Sequence, residues 1–247
     1  MTVIAPQLTT RFAQDDTDIR AVQALRHRVF VDELGAQTTG ASVEADGFDD
    51  YAHHLMVLDK ARAAGDQVVG VYRLLDQTQA ERAGGFSSAA EYDLTPLLSS
   101  GRRLLELSRS CLHPDYRSGL AMVHLWQALD AHIAATGTDI LFGVASFHGT
   151  DPSAFAQALS LLHAEHLAPE TLRPVSKYPA VFEATATDRK VAMRQMPSLI
   201  KAYLKLGGKI GQGAYVDRKF NTTDVCMVLD VAQSNAAQRA LYQKGRG

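Results

Sequence analysis

The chain has 247 residues, 46% of them hydrophobic and 21% charged, with a net charge of −2. It is long enough to bury a sizeable core, and its near-neutral balance excludes a global field for nucleic acid. No run approaches the roughly 18 apolar residues of a membrane span, and Met1 to Leu8 carry no charged-then-apolar leader, so a reducing cytoplasm with Cys111 and Cys226 as free thiols is expected.

In chain order, Leu8 to Ala13 reads as a first strand. Asp15 to Thr17 then caps a helix that sets Ile19, Val22, Leu25 or Arg26, and Val29 on one face and ends near Leu34 and Gly35. Residues 37 to 50 form a polar loop, acidic at its end. His54 to Asp59 and Val68 to Leu75 are apolar runs joined through Gly65, the pattern of an antiparallel hairpin. Gln77 to Ser100 reads as mostly irregular. Leu104 to Leu112 then mixes four leucines with Glu106, Ser108, Arg109 and Ser110, as in a central strand whose polar side chains enter a cleft. Pro114 breaks that strand, and a helix carrying Met122, Leu125, Trp126, Leu129 and Ile133 follows, closed by Gly137.

Asp139 to Phe147 is a continuous apolar run, expected beside the central strand. Asp151 and Pro152 open a helix with Phe155, Leu159 and Leu162, and Asp224 to Val231 forms the last strand. Between them, Met193 to Leu206 carries an apolar stripe of Leu199, Ile200, Tyr203 and Leu204 beside Lys201 and Lys205. The glycine-rich stretch from 208 to 213 reads as turns. The reading is a single α/β domain spanning residues 1–247, with a basic amphipathic segment near 193–220.

Several clusters invite chemistry. Glu44, Asp46, Asp49 and Asp50 crowd one loop, where they could bind a metal, bind a cationic substrate, act as a base, or simply be solvated. Glu106 and Arg109, three apart on a strand, are expected on opposite faces, with Arg26, Arg28 and Arg73 as partners for them and for the loop. The histidines at 53, 54, 163 and 166 lack a third ligand at recognisable spacing, so no metal site is expected.

The segments at 25–35 (LRHRVFVDELG), 43–50 (VEADGFDD), 68–75 (VVGVYRLL), 84–86 (GGF) and 105–117 (LELSRSCLHPDYR) resemble, in order and spacing, the GNAT acyltransferases that take acyl chains from acyl carrier protein. That group includes the acyl-homoserine-lactone synthases. The segments at 141–152 and 200–231 resemble more specifically the L-ornithine N-acyltransferases, which make the lyso precursor of bacterial ornithine lipids. The resemblance implies a GNAT fold, a central mixed, twisted sheet flanked by helices. It implies a catalytic set of Glu44, Glu106 and Arg109, with Arg26, Phe30, Asp46, Asp49, Arg73, Phe86, Ser108 and Ser110 around the substrate.

The implied reaction is direct attack of the α-amine of ornithine on a long-chain, 3-hydroxylated acyl thioester. Glu44 would act as base, Arg109 or Arg73 would hold the α-carboxylate, and backbone N–H groups near Ser108 to Ser110 would meet the oxyanion. The acyl chain would lie between the strands of Leu107 and Val144. Ala36 follows Leu34 and Gly35 where lactone synthases carry tryptophan, which argues against lactone synthesis. Tyr116, Gly119 and Ala121 occupy the usual pyrophosphate-loop places, which favours the phosphopantetheine of acyl carrier protein over coenzyme A and requires no other cofactor. The carrier protein would dock on Arg102, Arg103, Arg117 or a late basic group, Arg194, Lys201, Lys205, Lys209, Arg218 and Lys219. Residues 193–206 could also touch an anionic membrane from the cytoplasmic side. The competing readings are acylation of another amine, as in glycine lipids or lactone signals, and a silent acyl- or membrane-binding protein.

Overall fold

The computed structural model describes residues 5–38, 42–117, 119–183 and 188–234. The tip of the acidic loop at 39–41 and the first four residues of the N-terminus lie outside that range.

Ten strands are present among the described residues: β1 (Leu8–Phe12), β2 (His53–Asp59), β3 (Val68–Asp76), β4 (Tyr92–Asp93), β5 (Leu104–Leu112), β6 (Ile140–His148), β7 (Val175–Ser176), β8 (Lys209–Ile210), β9 (Tyr215–Asp217) and β10 (Thr222–Asp230). Eight of them build one sheet in the order β1-β2-β3-β5-β6-β10-β8, with β9 also on β10, while β4 and β7 pair separately. Neighbours in the main sheet are antiparallel except β5 and β6. That parallel pair needs a crossover, supplied by the helix α4 (Leu120–Thr136), which ends on Gly137 at φ 64°.

Helix α1 (Asp16–Arg26) begins at Asp15, whose carboxylate accepts the backbone N–H groups of Thr17 and Asp18, and continues as a π-helical segment through Glu33. It covers one face of the sheet, where Val22, Leu25 and Val29 pack on Met56, Val71 and Cys111. Helix α4 covers the other, with Leu125, Trp126 and Leu129 against Leu55, Val57 and Tyr72. Each face of the sheet is therefore dry, as its apolar strands require.

Three expectations need correction. The stretch from 77 to 100 is not irregular: α2 (Gln77–Ala83) starts on a capping box between Asp76 and Gln79 and stops at Gly84, φ 84°, and a helical turn (Ser87–Ala90) and α3 (Thr95–Leu98) follow. Lys209 and Ile210 are not turns but pair with Val228 and Met227. Residues 193–206 are two helices, α6 (Arg189–Gln195) and α7 (Ser198–Lys205), separated at Pro197. Ile200 and Tyr203 of the stripe are buried in the core, with Tyr203 edge-on to Trp126 at 5.2 Å, so their part of that face is not presented to a membrane. No helix among the described residues is long and apolar enough to cross a membrane.

Two irregularities shape the centre of the sheet. Opposite β3, Ser108 faces Arg73 and Cys111 faces Val71, so Arg109 and Ser110 together stand opposite Tyr72: a β-bulge, with Arg109 at φ 52°. The bulge returns Arg109 to the face that carries Glu106, Ser108 and Arg73, where simple alternation puts it on the opposite one. The second irregularity is a splay. β5 and β6 pair only from Leu104–Glu106 to Ile140–Phe142, while β5 continues on β3 to Leu112 and β6 on β10 to His148. The inner edges beyond are left without each other. Gly143, φ 150°, sits at the fork, where a Cβ would collide with the carbonyl oxygen of Leu107. Gly143→Ala is therefore expected to destabilise the protein by at least about 2 kcal/mol, read as a lower urea midpoint at unchanged m-value.

Candidate active site

The acidic loop is fastened to the helix and the sheet by a buried ion network. Arg26, fully buried, donates from Nε to Glu44 Oε2 at 2.6 Å and from Nη1 and Nη2 to the two oxygens of Asp49 at 2.8 and 3.0 Å, and Nη2 also reaches the Glu44 carbonyl at 2.8 Å. Arg73 donates to Asp46, to Asp49 Oδ1 at 2.9 Å and to Ser108 Oγ at 3.0 Å. Arg109 closes the set, reaching Glu44 Oε1 at 3.2 Å and Asp46 Oδ2 at 2.8 Å. Three guanidiniums meet three carboxylates, so the network is neutral. Arg28, one of the expected partners, lies instead on the surface at 3.5 Å from Asp66.

Burial works to raise the carboxyl of Asp49, but Arg26 and Arg73 outweigh it and hold Asp49 well below the usual carboxylate range. Asp46 is lowered in the same way, with Arg73 and Arg109 overcoming burial. His54 lies under Asp49, with Nε2 3.3 Å from its carbonyl oxygen, and burial lowers its pKa and favours the neutral ring. Cys111 is no nucleophile: burial pushes its thiol up to about 12.

Glu106 belongs elsewhere. Ser87 donates from N–H and hydroxyl to its Oε2 at 2.9 and 2.8 Å, and Ser88 donates from both groups to Oε1, the N–H at 2.7 Å. It pins the turn that leads into Glu91 and has no arginine partner among the described residues. Phe86 is buried edge-on against Phe142 at 4.9 Å, behind the same turn.

A cavity of about 230 Å³ opens where β5 and β6 part. Phe30, Leu34, Val144 and Leu199 make its apolar wall, and Arg109 and Ser110 reach it from the bulge. Of the residues expected from sequence, Phe30, Arg109 and Ser110 line this space. Arg26, Glu44, Asp46, Asp49 and Arg73 stand behind Arg109, while Glu106 and Ser108 lie on β5 below it, and Phe86 packs behind the Ser87–Ser88 turn. The Arg109 guanidinium carbon lies 4.3 Å from the centre of the Phe220 ring, and its Nη1 makes no hydrogen bond with the described residues.

Sequence reasoning missed the rest of the lining. Glu91, Asp217 and Asp224 line the cavity, and one carboxylate oxygen from each lies within 4.8 Å of the other two. Asp224 is 2% exposed; Thr222 donates to its Oδ2 at 3.1 Å, and its Oδ1 and Glu91 Oε2 accept no hydrogen bond from the described residues. Burial, then Asp224 and Asp217, push Glu91 up to about 9 against the pull of Arg109. Burial likewise raises Asp224 to about 6, against the hydroxyls of Ser146 and Thr222. Glu91 lies far upstream of Asp217 and Asp224, which come from the paired strands β9 and β10, and the one local signal was an aspartate near the start of β10, just before its apolar run Val225–Leu229.

A sheet forked between two central strands, a bulge at the fork and a cavity between them define an acyltransferase of the GNAT fold. The description "acetyltransferase (GNAT) domain" matches residues 25–127. A solved N-acyl amino acid synthase from uncultured soil microbes superposes with a TM-score of 0.58 at 13% identity, over 97% of this chain and 99% of that one. The AHL synthase LasI gives 0.52 at 15%, over 98% and 96%. Among curated proteins, an L-ornithine N(alpha)-acyltransferase of Rhodobacter capsulatus is 49% identical over 96% of both chains. One of Brucella abortus is 42% identical over 95% of this chain and 88% of its own. The chain belongs to the L-ornithine N(alpha)-acyltransferase family.

Breaking the network should be costly. Asp49→Ala leaves Arg26 and Arg73 short of a counter-charge in the interior, with an expected loss of about 3–5 kcal/mol at pH 7. Because the folded-state pKa of Asp49 is depressed, its contribution is present above the unfolded value of about 3.9 and is lost as pH falls below it. Urea unfolding of wild type and variant should therefore converge as pH drops below about 4.

Proposed function

We propose that the protein transfers a long-chain, 3-hydroxylated fatty acyl group from the phosphopantetheine of acyl carrier protein to the α-amine of L-ornithine, giving a lyso-ornithine lipid. The observation that carries this reading is the full-length identity to relatives named for ornithine N-acylation, joined to a forked sheet whose cavity presents Arg109. The thioester enters the fork, where the unpaired edge of β5 near Ser110 offers N–H groups to the oxyanion, and the acyl chain runs along Phe30, Leu34, Val144 and Leu199. At about 0.8 kcal/mol per buried methylene, such a wall discriminates chain length.

The free Nη1 of Arg109 takes the α-carboxylate of the acceptor. Glu44 was expected from sequence to remove the ammonium proton. In the folded chain both its oxygens accept guanidinium N–H groups, from Arg26 and Arg109, and it stands behind Arg109 rather than in the cavity. Its part in this proposal is to aim Arg109, and the proton leaves through cavity water. The amine then attacks the thioester carbon, the amide forms, and the carrier thiol departs with a proton.

Acidic carrier protein needs accessible positive charge. Arg102, Arg103 and Arg117 are paired with Asp230, Asp139 and Glu33, whereas Arg218 and Lys219 are exposed, have no ion-pair partner among the described residues, and flank the cavity residues Asp217 and Phe220. Docking is assigned to that pair. The cell compartment is the cytoplasm, with peripheral membrane contact through the exposed basic residues.

The reaction is tested by product mass after incubation with 3-hydroxyacyl carrier protein or the matching acyl-CoA, offering ornithine, lysine, glycine and S-adenosylmethionine in parallel. Acyl-ornithine formed from the carrier protein is expected; a product only with another amine or donor moves the substrate, and no product overturns the reading. Glu44→Gln should lower kcat/KM for the amino acid on the order of 100-fold while KM for the acyl donor moves little. Reversing Arg218 and Lys219 to glutamate should raise KM for acyl carrier protein roughly tenfold at low salt, an effect that fades at high salt.

A further inference from the structure

We propose that Glu91, Asp217 and Asp224 form a carboxylate socket for the side-chain ammonium of a diamino-acid acceptor, with Arg109, which lines the same cavity, holding its α-carboxylate. The inference rests on the N-acyl transfer proposed above and deepens it by assigning the residues that select the acceptor.

Buried carboxylates are ordinarily paired, and the contrast within this protein is sharp. Asp46, Asp49 and Glu44 have guanidiniums on every side and lie in one neutral network. Glu91, Asp217 and Asp224 line the same cavity close together with no ion pair among the described residues, and the buried Asp224 Oδ1, in a residue 2% exposed, accepts no hydrogen bond from any described residue. Leaving such an oxygen unsatisfied is costly. The raised pKa values of Glu91 and Asp224 express the same deficit: the group lacks a cation. Arg109 and Glu106 on β5, Tyr92 on β4, Tyr215 on β9 and Cys226 on β10 are titratable groups that act on it, and Arg109, already committed to Glu44 and Asp46, does not reach it by hydrogen bond.

An ammonium group fits this site. It carries three N–H donors for three carboxylates, and a diamino acid spans from a cationic socket ligand to an anionic end that suits Arg109 Nη1. The α-amine is then held between the two anchors, beside Ser110 and Val144 at the fork where the thioester enters. The folded chain supports the socket from behind. Glu106 pins the Ser87–Ser88 turn that delivers Glu91, Lys219 and Phe220 N–H groups hold Asp217 Oδ1 at 2.7 and 3.0 Å, and Tyr92 donates to the Asp224 carbonyl at 2.9 Å.

The test compares initial rates for ornithine and norvaline, which has the same carbon chain without the side-chain amine, in wild type, Asp224→Asn and Glu91→Gln. Each variant is first checked by its unfolding temperature, and Glu91, nearer the surface, serves if Asp224→Asn does not fold. Wild type should prefer ornithine on the order of 100-fold or more in kcat/KM. Both substitutions should cut that ratio at least about tenfold. Titration of the substrate-free protein with ornithine should release protons, and the variants should release fewer, which a purely structural carboxylate would not produce.

Wild type acylating norvaline as well as ornithine overturns the socket and leaves N-acyl transfer standing. Variants that slow both amino acids equally, at an unchanged ratio, also overturn it. Stoichiometric Mn²⁺ binding that disappears in Asp224→Asn without any change in the ratio reassigns the cluster to a metal. Acylation of neither amino acid by wild type overturns the proposed reaction itself.

Discussion

The geometry of the site depends on one constraint, the neutralisation of three guanidiniums by three carboxylates in the protein interior. Arg26 comes from the first helix, Arg73 and Arg109 from adjacent strands, and all three carboxylates from one loop. Each charge is costly to bury alone, and none is satisfied until the loop closes over the helix and the sheet. The network thus works as a clasp. It holds a polar loop that has little apolar content of its own, and it fixes the orientation of Arg109, the one member that reaches the cavity.

The forked sheet supplies the space that the clasp surrounds. Parallel strands that pair along their whole length leave no backbone donors for a substrate, whereas β5 and β6 part after Glu106 and Phe142 because their outer neighbours keep hold of them. The bulge at Arg109 and Ser110 is the second half of the device. It spends one residue of register to bring Arg109 round to the loop carboxylates, and the backbone strain of φ 52° is maintained by the hydrogen bonds Arg109 then makes.

Across the cavity the electrostatics reverse. On one side every carboxylate is matched; on the other, three carboxylates converge with no cation paired to them among the described residues. The two sides meet at Arg109, so the cavity has a positive end and a negative end a few side chains apart. A neutral apolar acyl chain has no use for such a dipole; the apolar wall of Phe30, Leu34, Val144 and Leu199 is the part of the cavity that complements it. The polar ends are suited to a small zwitterionic acceptor carrying a second positive charge.

Much of this was legible in the chain. Period-two and period-3.6 apolar patterns located the hairpin, the central strand, the crossover helix and the strand beside it, because burial of a face imposes those periods on local sequence. Gly137 as a cap and Asp15 as an N-cap were readable for the same local reason, and the ordered motifs from Leu25 to Arg117 named the acyltransferase class and the members of the ion network. Tertiary structure alone decided the rest. A bulge adds one residue to a register that no residue type declares, so Arg109 changed face without warning. Residues 193–206 read as one amphipathic segment until Pro197 split it and packing buried Ile200 and Tyr203. The carboxylate group shows the limit most plainly: Glu91 is an unremarked acid far upstream of Asp217 and Asp224, and only the folding of β9 and β10 against the turn held by Glu106 gives the three a common space. Charge proximity is a property of the folded sheet, whereas periodicity is a property of the chain.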